Sequence, residues 1–135
     1  MSNREGGCLC GAVRYVLKAE PRPGVLCHCT HCRKQSGSLF SFNIVLRESD
    51  YEQQGETKVF VDTGDSGQPV NRHFCGNCGA PILVKIAAAP KHVVIKAGSL
   101  DNLGGLTATT EIYCDHAADW LAPVAGAARF PQNQS

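Results

Sequence analysis

Apolar and polar residues alternate in short runs along this chain, and helical periodicity is scarce. AVRYVLKA (12–19) alternates and predicts a strand. LFSFNIVL (39–46) predicts a largely buried strand, and TKVFVDTG (57–64) a strand that ends at a glycine turn. DSGQP (65–69) is a turn, and VNRHF (70–74) leads out of it as a strand. APILVKIA (80–87) and KHVVIKAG (91–98) predict a hairpin broken at Pro90, and TTEIYC (109–114) a further strand. HCRKQSG (31–37) is the best helix candidate, and DHAADW (115–120) holds room for one more helical turn. The pattern predicts a mostly β domain with short helices.

The length, 135 residues, predicts one domain over 1–135 with its core at about 6–120. The formal net charge is +1, and no basic stripe or acidic tail stands out, so neither nucleic acid nor a charged membrane surface is an expected partner. The opening MSNREGG is polar and charged, unlike a secretory signal, and the apolar stretches are too short and interrupted to span a bilayer. A cytoplasmic location is the simplest expectation.

The cysteines change the picture. There are eight, grouped as Cys8 and Cys10; Cys27, Cys29 and Cys32; Cys75 and Cys78; and Cys114 alone. Disulfides favour dispersed cysteines in an oxidising compartment. Two cysteines spaced C-x-C on a strand lie about 6.6 Å apart at Cα with both side chains on one face. That spacing is at the limit of disulfide geometry and suits two thiolates converging on one ion. In FCGNCGAP (74–81) the C-x-x-C pair flanks a tight turn, and the following glycine permits positive φ, so backbone N–H groups can point at the sulfurs. That is the form of a zinc knuckle, and the βαβ pattern expected around a redox C-x-x-C is missing. A knuckle supplies two ligands, so a tetrahedral site needs two more. Spacing alone does not say which pairs combine. The economical solution joins Cys8 and Cys10 to Cys75 and Cys78 in a structural zinc site.

CHCTHC (27–32) then stands by itself. Cys27, Cys29 and Cys32 can converge on a second zinc and leave its fourth position open, which distinguishes a catalytic from a structural site. His28 and His31 alternate with these cysteines and are expected to point away from the metal. Arg33 and Lys34 either lower thiolate pKa values and meet an anionic substrate, or are solvated helix residues. Cys114 shares a strand face with Thr110 and Ile112 and reads as a buried apolar thiol.

GGCLCGAVRY (6–15), LCHCTHCRKQSGS (26–38), NRHFCGNCGAPI (71–82) and KAGSLD (96–101) together resemble the glutathione-dependent formaldehyde-activating family, which includes centromere protein V and has the Mss4-like fold. The resemblance runs from about Gly6 to Trp120. It implies a β-tent zinc domain, with structural zinc on Cys8, Cys10, Cys75 and Cys78 and catalytic zinc on Cys27, Cys29 and Cys32. It also implies glutathione as thiol partner and S-(hydroxymethyl)glutathione as the adduct. The late family motif often carries His before the Ile-aromatic pair, where this chain has Glu111.

Two functions follow. One is a zinc-dependent carbon–sulfur lyase or synthase acting on a thiol adduct of a small aldehyde. The other is a non-catalytic zinc module that binds a protein partner. The open trio favours the enzyme, because a binding module needs only closed sites.

Overall fold

The computed structural model describes residues 3–133. Among them are eleven strands and one α-helix: β1 (Arg4–Gly7), β2 (Arg14–Leu17), β3 (Gly24–Cys27), α1 (Thr30–Ser36), β4 (Ser41–Arg47), β5 (Tyr51–Gln54), β6 (Lys58–Thr63), β7 (Pro69–Phe74), β8 (Pro81–Ile86), β9 (His92–Lys96), β10 (Ala108–Ile112) and β11 (Ala128–Arg129). They form a three-stranded sheet, β1-β2-β5, and an eight-stranded sheet, β11-β10-β3-β4-β9-β8-β7-β6. Pairing is antiparallel except where β10 runs parallel to β3 and to β11. The mostly β expectation holds. No described helix is long and apolar enough to cross a membrane.

The predicted strands at 12–19, 39–46, 57–64, 70–74, 80–87, 91–98 and 109–114 all form, each end within two residues of its expected place; β4, β7 and β10 run one residue beyond the expected span. Strands β1, β3, β5 and β11 have at most four residues each and show no period; β2, equally short, stands out only because alternation extends past it over 12–19. The helix forms one residue earlier than predicted. Its N-cap is Cys29, whose Sγ accepts the Cys32 N–H at 3.2 Å. It stops at Gly37, which takes the left-handed conformation (φ +70°) and donates its N–H to the Arg33 carbonyl. The turn expected at 115–120 is a 3-10 turn at Cys114–His116.

Paired residues on adjacent strands project to the same side of a sheet. The register of the large sheet therefore sorts its two faces. Ile44 pairs with Ile95, Leu46 with Val93 and Leu83 with Ile95. This face packs on Val13, Tyr15 and Leu17 from the small sheet and its lead-in, and together they make the core. Cys8 and Cys75 are members of that same cluster.

The opposite face carries polar chemistry. Cys27 pairs with Ser41, Asn43 with Lys96, Arg72 with Val84 and Phe60 with Arg72. Asp62 lies two residues beyond Phe60, on the same side of its strand. The result is a row, Cys27, Ser41, Asn43, Lys96, Arg72 and Asp62, that crosses six strands. His31 of α1 reaches Asp62 of this row, Nδ1 to Oδ2, at 2.7 Å.

Candidate metal centre

Cys8, Cys10, Cys75 and Cys78 converge, with all four Sγ atoms within 4.8 Å of one another. The chain leaving β1 brings the first pair and the turn after β7 brings the second. The sulfurs of Cys8 and Cys10 are 3.6 Å apart and those of Cys10 and Cys75 are 3.8 Å apart. A tetrahedron with metal–sulfur bonds of about 2.3 Å has edges of about 3.8 Å. The four sulfurs thus stand where a tetrahedral thiolate site needs them, and no disulfide joins them.

Local backbone prepares these sulfurs for a cation. Val13 N–H donates to Cys8 Sγ at 3.2 Å, Asn77 N–H to Cys75 Sγ at 3.3 Å and Asn77 Nδ2 to Cys10 Sγ at 3.3 Å. Gly79, after the second knuckle cysteine, has φ +81°. This is the positive φ that a C-x-x-C-G turn requires. Burial pushes the Cys8 thiol up, but the Val13 N–H and the thiols of Cys10, Cys75 and Cys78 outweigh it and bring it down to about 6.

Cys27, Cys29 and Cys32 form a second group, again within 4.8 Å of one another. Cys27 ends β3, Cys29 caps α1 and Cys32 lies on its first turn. Hydrogen bonds from the Cys27 and Cys29 thiols hold Cys32 far below the usual thiol range, against its burial, with help from the charge of Lys96 and the Ser41 hydroxyl. The same hydrogen bonds to Cys29 and Cys32, with burial, push Cys27 well up.

Two cations that the sequence reading does not single out, Lys96 and Arg72, act on Cys32. Arg72 is 6% exposed and donates from Nε to Asp62 Oδ2 at 2.9 Å. Burial lowers its pKa, but Asp62 and Cys32 together raise it. Lys96 is 7% exposed and donates from Nζ to Asn43 Oδ1 at 3.0 Å. Burial pulls its pKa down, and the Cys32 charge resists that. A signal for Lys96 was present, since the residue breaks the apolar end of HVVIK, but only the register of β9 against β4 shows where it goes. Lys34 lines a cavity of about 410 Å³ together with Gln35, Phe60, Asp62 and Arg72. A second cavity, of about 550 Å³, opens past Ser36, Phe40, Ser41 and Lys96.

Both histidines point away from the trio, as expected, with different surroundings. His31 is exposed. His28 is fully buried and donates from Nε2 to Glu111 Oε1 at 2.8 Å. Glu111, equally buried, also accepts the Val124 N–H at 2.9 Å and Arg129 Nη1 at 2.7 Å. Burial raises its carboxyl pKa, but His28, the Val124 N–H and Arg129 reverse that and hold it below the usual range. Glu111, where the family motif often has His, thus ties the C-terminal segment to the centre of the C-x-C.

Cys114 corrects one expectation. Tyr113 takes φ +55° and ends the strand, so Cys114 leaves the face of Thr110 and Ile112. It is half-buried rather than buried, and its thiol donates to the Glu111 carbonyl at 3.5 Å. Its sulfur groups with His28 and Glu111, not with the trio.

The family model for glutathione-dependent formaldehyde-activating enzymes matches residues 3–116. The chain belongs to this family. Within the glutathione-dependent formaldehyde-activating family, the chain is 31% identical over 103 residues to a protein of Halomonas elongata named a putative glutathione-dependent formaldehyde-activating enzyme, covering 73% of this chain and 66% of that one. It thus spans just under two thirds of that relative's length. It is 26% identical over 120 residues to an uncharacterized lyase of Schizosaccharomyces pombe, covering 88% of this chain and 84% of that one. A crystal structure of a Rhodobacter sphaeroides protein shares the fold, with a TM-score of 0.57 and 21% identity over 78% of this chain and 99% of that one.

Proposed function

We propose that the chain is a single zinc domain with a closed structural site on Cys8, Cys10, Cys75 and Cys78 and an open catalytic site on Cys27, Cys29 and Cys32. Its reaction is the making or breaking of a carbon–sulfur bond in the thiol adduct of a small aldehyde, S-(hydroxymethyl)glutathione being the adduct that the family name suggests. The observation that carries this reading is the trio itself. Three sulfurs converge, and no fourth cysteine, histidine or carboxylate joins their group among the described residues. Names given to relatives, an enzyme in one case and a lyase in the other, support the reaction class.

A zinc ion on the three sulfurs would offer its remaining position to an incoming thiol and favour the thiolate, the nucleophilic form. The chain's own residues set the stage. The Cys32 N–H fixes the Cys29 sulfur, and the Ser41 hydroxyl and the Lys96 charge both act on the Cys32 sulfur. One cavity is lined by Thr30, His31, Lys34 and Arg72, and another by Ser36, Ser41 and Lys96, residues of α1 and of the row that carries Cys27. In the forward direction the thiolate sulfur bonds to the carbonyl carbon, the C=O π pair moves to oxygen, and the oxygen takes up the proton that the thiol released. The lyase direction is the reverse.

Exchange spectroscopy by NMR tests this. Zinc-loaded protein should accelerate the exchange between formaldehyde hydrate and the hemithioacetal of glutathione, cysteine or a simple alkyl thiol, and Cys29→Ser should not. A rate no faster than that of the free thiols would overturn the enzyme reading. The binding-module reading would then lead. It has one observation behind it: the edge strand β6 leaves Phe60 60% and Val61 64% exposed.

A further inference from the structure

Lys96 is a buried cation with no carboxylate partner among the described residues. Every other buried charge described above has one or serves one: Arg72 binds Asp62, and Glu111 binds Arg129. Among the described residues, Lys96 Nζ hydrogen-bonds only to the neutral amide of Asn43. Burying an ammonium ion without a counter-charge is costly, so a negative charge must come from elsewhere. The register points to it. Asn43 lies between Lys96 on one side and Ser41 on the other, donating from Nδ2 to Ser41 Oγ at 3.0 Å. Ser41 pairs with Cys27, and its hydroxyl reaches Cys32. The charges felt by Lys96 are those of Cys32, Cys27 and Cys29, with Arg72 opposing them.

We propose that Lys96 is the counter-ion of the cysteine trio and determines which ligand takes the open position there, favouring an anionic sulfur over a neutral donor. Three thiolates around a dication carry one net negative charge, and one ammonium balances it. A thiolate entering the fourth position brings a further negative charge next to three partly or fully buried sulfurs. With Lys96 present that addition meets a compensated site; without it, the site is already anionic. A neutral ligand such as imidazole adds no charge and gains nothing from the ammonium. At an effective dielectric of about 20, a unit charge several ångströms away changes affinity for another unit charge by roughly tenfold or more. The inference rests on the open-site reading above and assigns selectivity to a residue within it.

The test uses cobalt-substituted full-length protein, whose ligand-field spectrum reports the fourth ligand. Wild type, Lys96→Gln and Lys96→Arg are titrated with cysteamine, cysteine and imidazole at one pH. Lys96→Gln should bind both thiols about tenfold more weakly, with imidazole binding unchanged or stronger, and Lys96→Arg should stay near wild type. Should Lys96→Gln not fold, Lys96→Met fills similar volume without charge and takes its place. Equal thiol affinity in wild type and the neutral variant overturns the inference, as does a parallel loss of thiol and imidazole. A wild-type protein that binds no thiol overturns the open-site reading instead. The counter-ion claim then rests on cobalt competition with a chelator, in which the neutral variant should lose about tenfold in metal affinity and an unchanged affinity refutes it.

Discussion

Replacing Cys75 by Ser should destabilise the protein far more than replacing Cys29. Cys75 is 2% exposed and belongs to the core between the sheets, whereas the trio lies on the opposite face of the large sheet. A metal shared by Cys10 and Cys75 closes a loop spanning 65 residues. Treated as a cross-link, that closure removes about 4 kcal/mol of chain entropy from the unfolded state. Total stability of a domain is only about 5–15 kcal/mol. A chain of this size loses roughly 3–4 °C of melting temperature per kcal/mol. Cys75→Ser should therefore melt at least about 12 °C below wild type or fail to fold. Cys29→Ser removes a sulfur from a site whose ligands lie within six consecutive residues, 27–32, so its loop-closure contribution is small. It should melt within about 5 °C of wild type, with one zinc fewer. Thermal denaturation followed by far-UV circular dichroism, paired with zinc release into a chromogenic chelator, measures both. If Cys29→Ser collapses while Cys75→Ser melts like wild type, the structural and catalytic roles are reversed.

Glu111→Gln should cost about 2–3 kcal/mol in urea unfolding, because it leaves Arg129 without its carboxylate and weakens the His28 bond. The folded carboxyl pKa of Glu111 is depressed, so its stabilisation is full above the ordinary value near 4.5 and is lost as pH falls through that value and below. The wild-type advantage over Glu111→Gln should accordingly shrink between about pH 5 and pH 3, and an advantage constant over that window would refute the assignment. Gly55→Ala should lower the melting temperature by at least about 5 °C: Gly55 has φ +86°, and a Cβ there would collide with the Ala12 carbonyl oxygen. A Gly55→Ala melt equal to wild type would mean that this turn adopts another conformation.

Much of this site could be read from the sequence because its signals are local. The knuckle 75–78 needs one glycine after it, and Gly79 has the required conformation. The C-x-C-x-x-C trio needs a strand end and one turn of helix, both within eight residues of Cys27. The two C-x-C and C-x-x-C pairs could be matched only as the economical choice, and the fold brings them together across two sheets. What the sequence hides is set by register between distant strands. Lys96 and Arg72 share the face of Ser41 and Cys27 only through the register of β9 and β7, which no local pattern announces. The partner of His28 is 83 residues away. Cys114 misleads because one residue, Tyr113, leaves the extended conformation, and nothing in TTEIYC announces it.

The central claim is two cysteine metal sites in one chain, one closed and one open. Native mass spectrometry of protein purified under reducing conditions tests it most directly. Wild type should carry two zinc ions, the second lost first as chelator is added, and Cys29→Ser should carry one that resists chelation. A fully reduced chain that holds no metal, or one isolated with disulfides among these cysteines, would contradict the account.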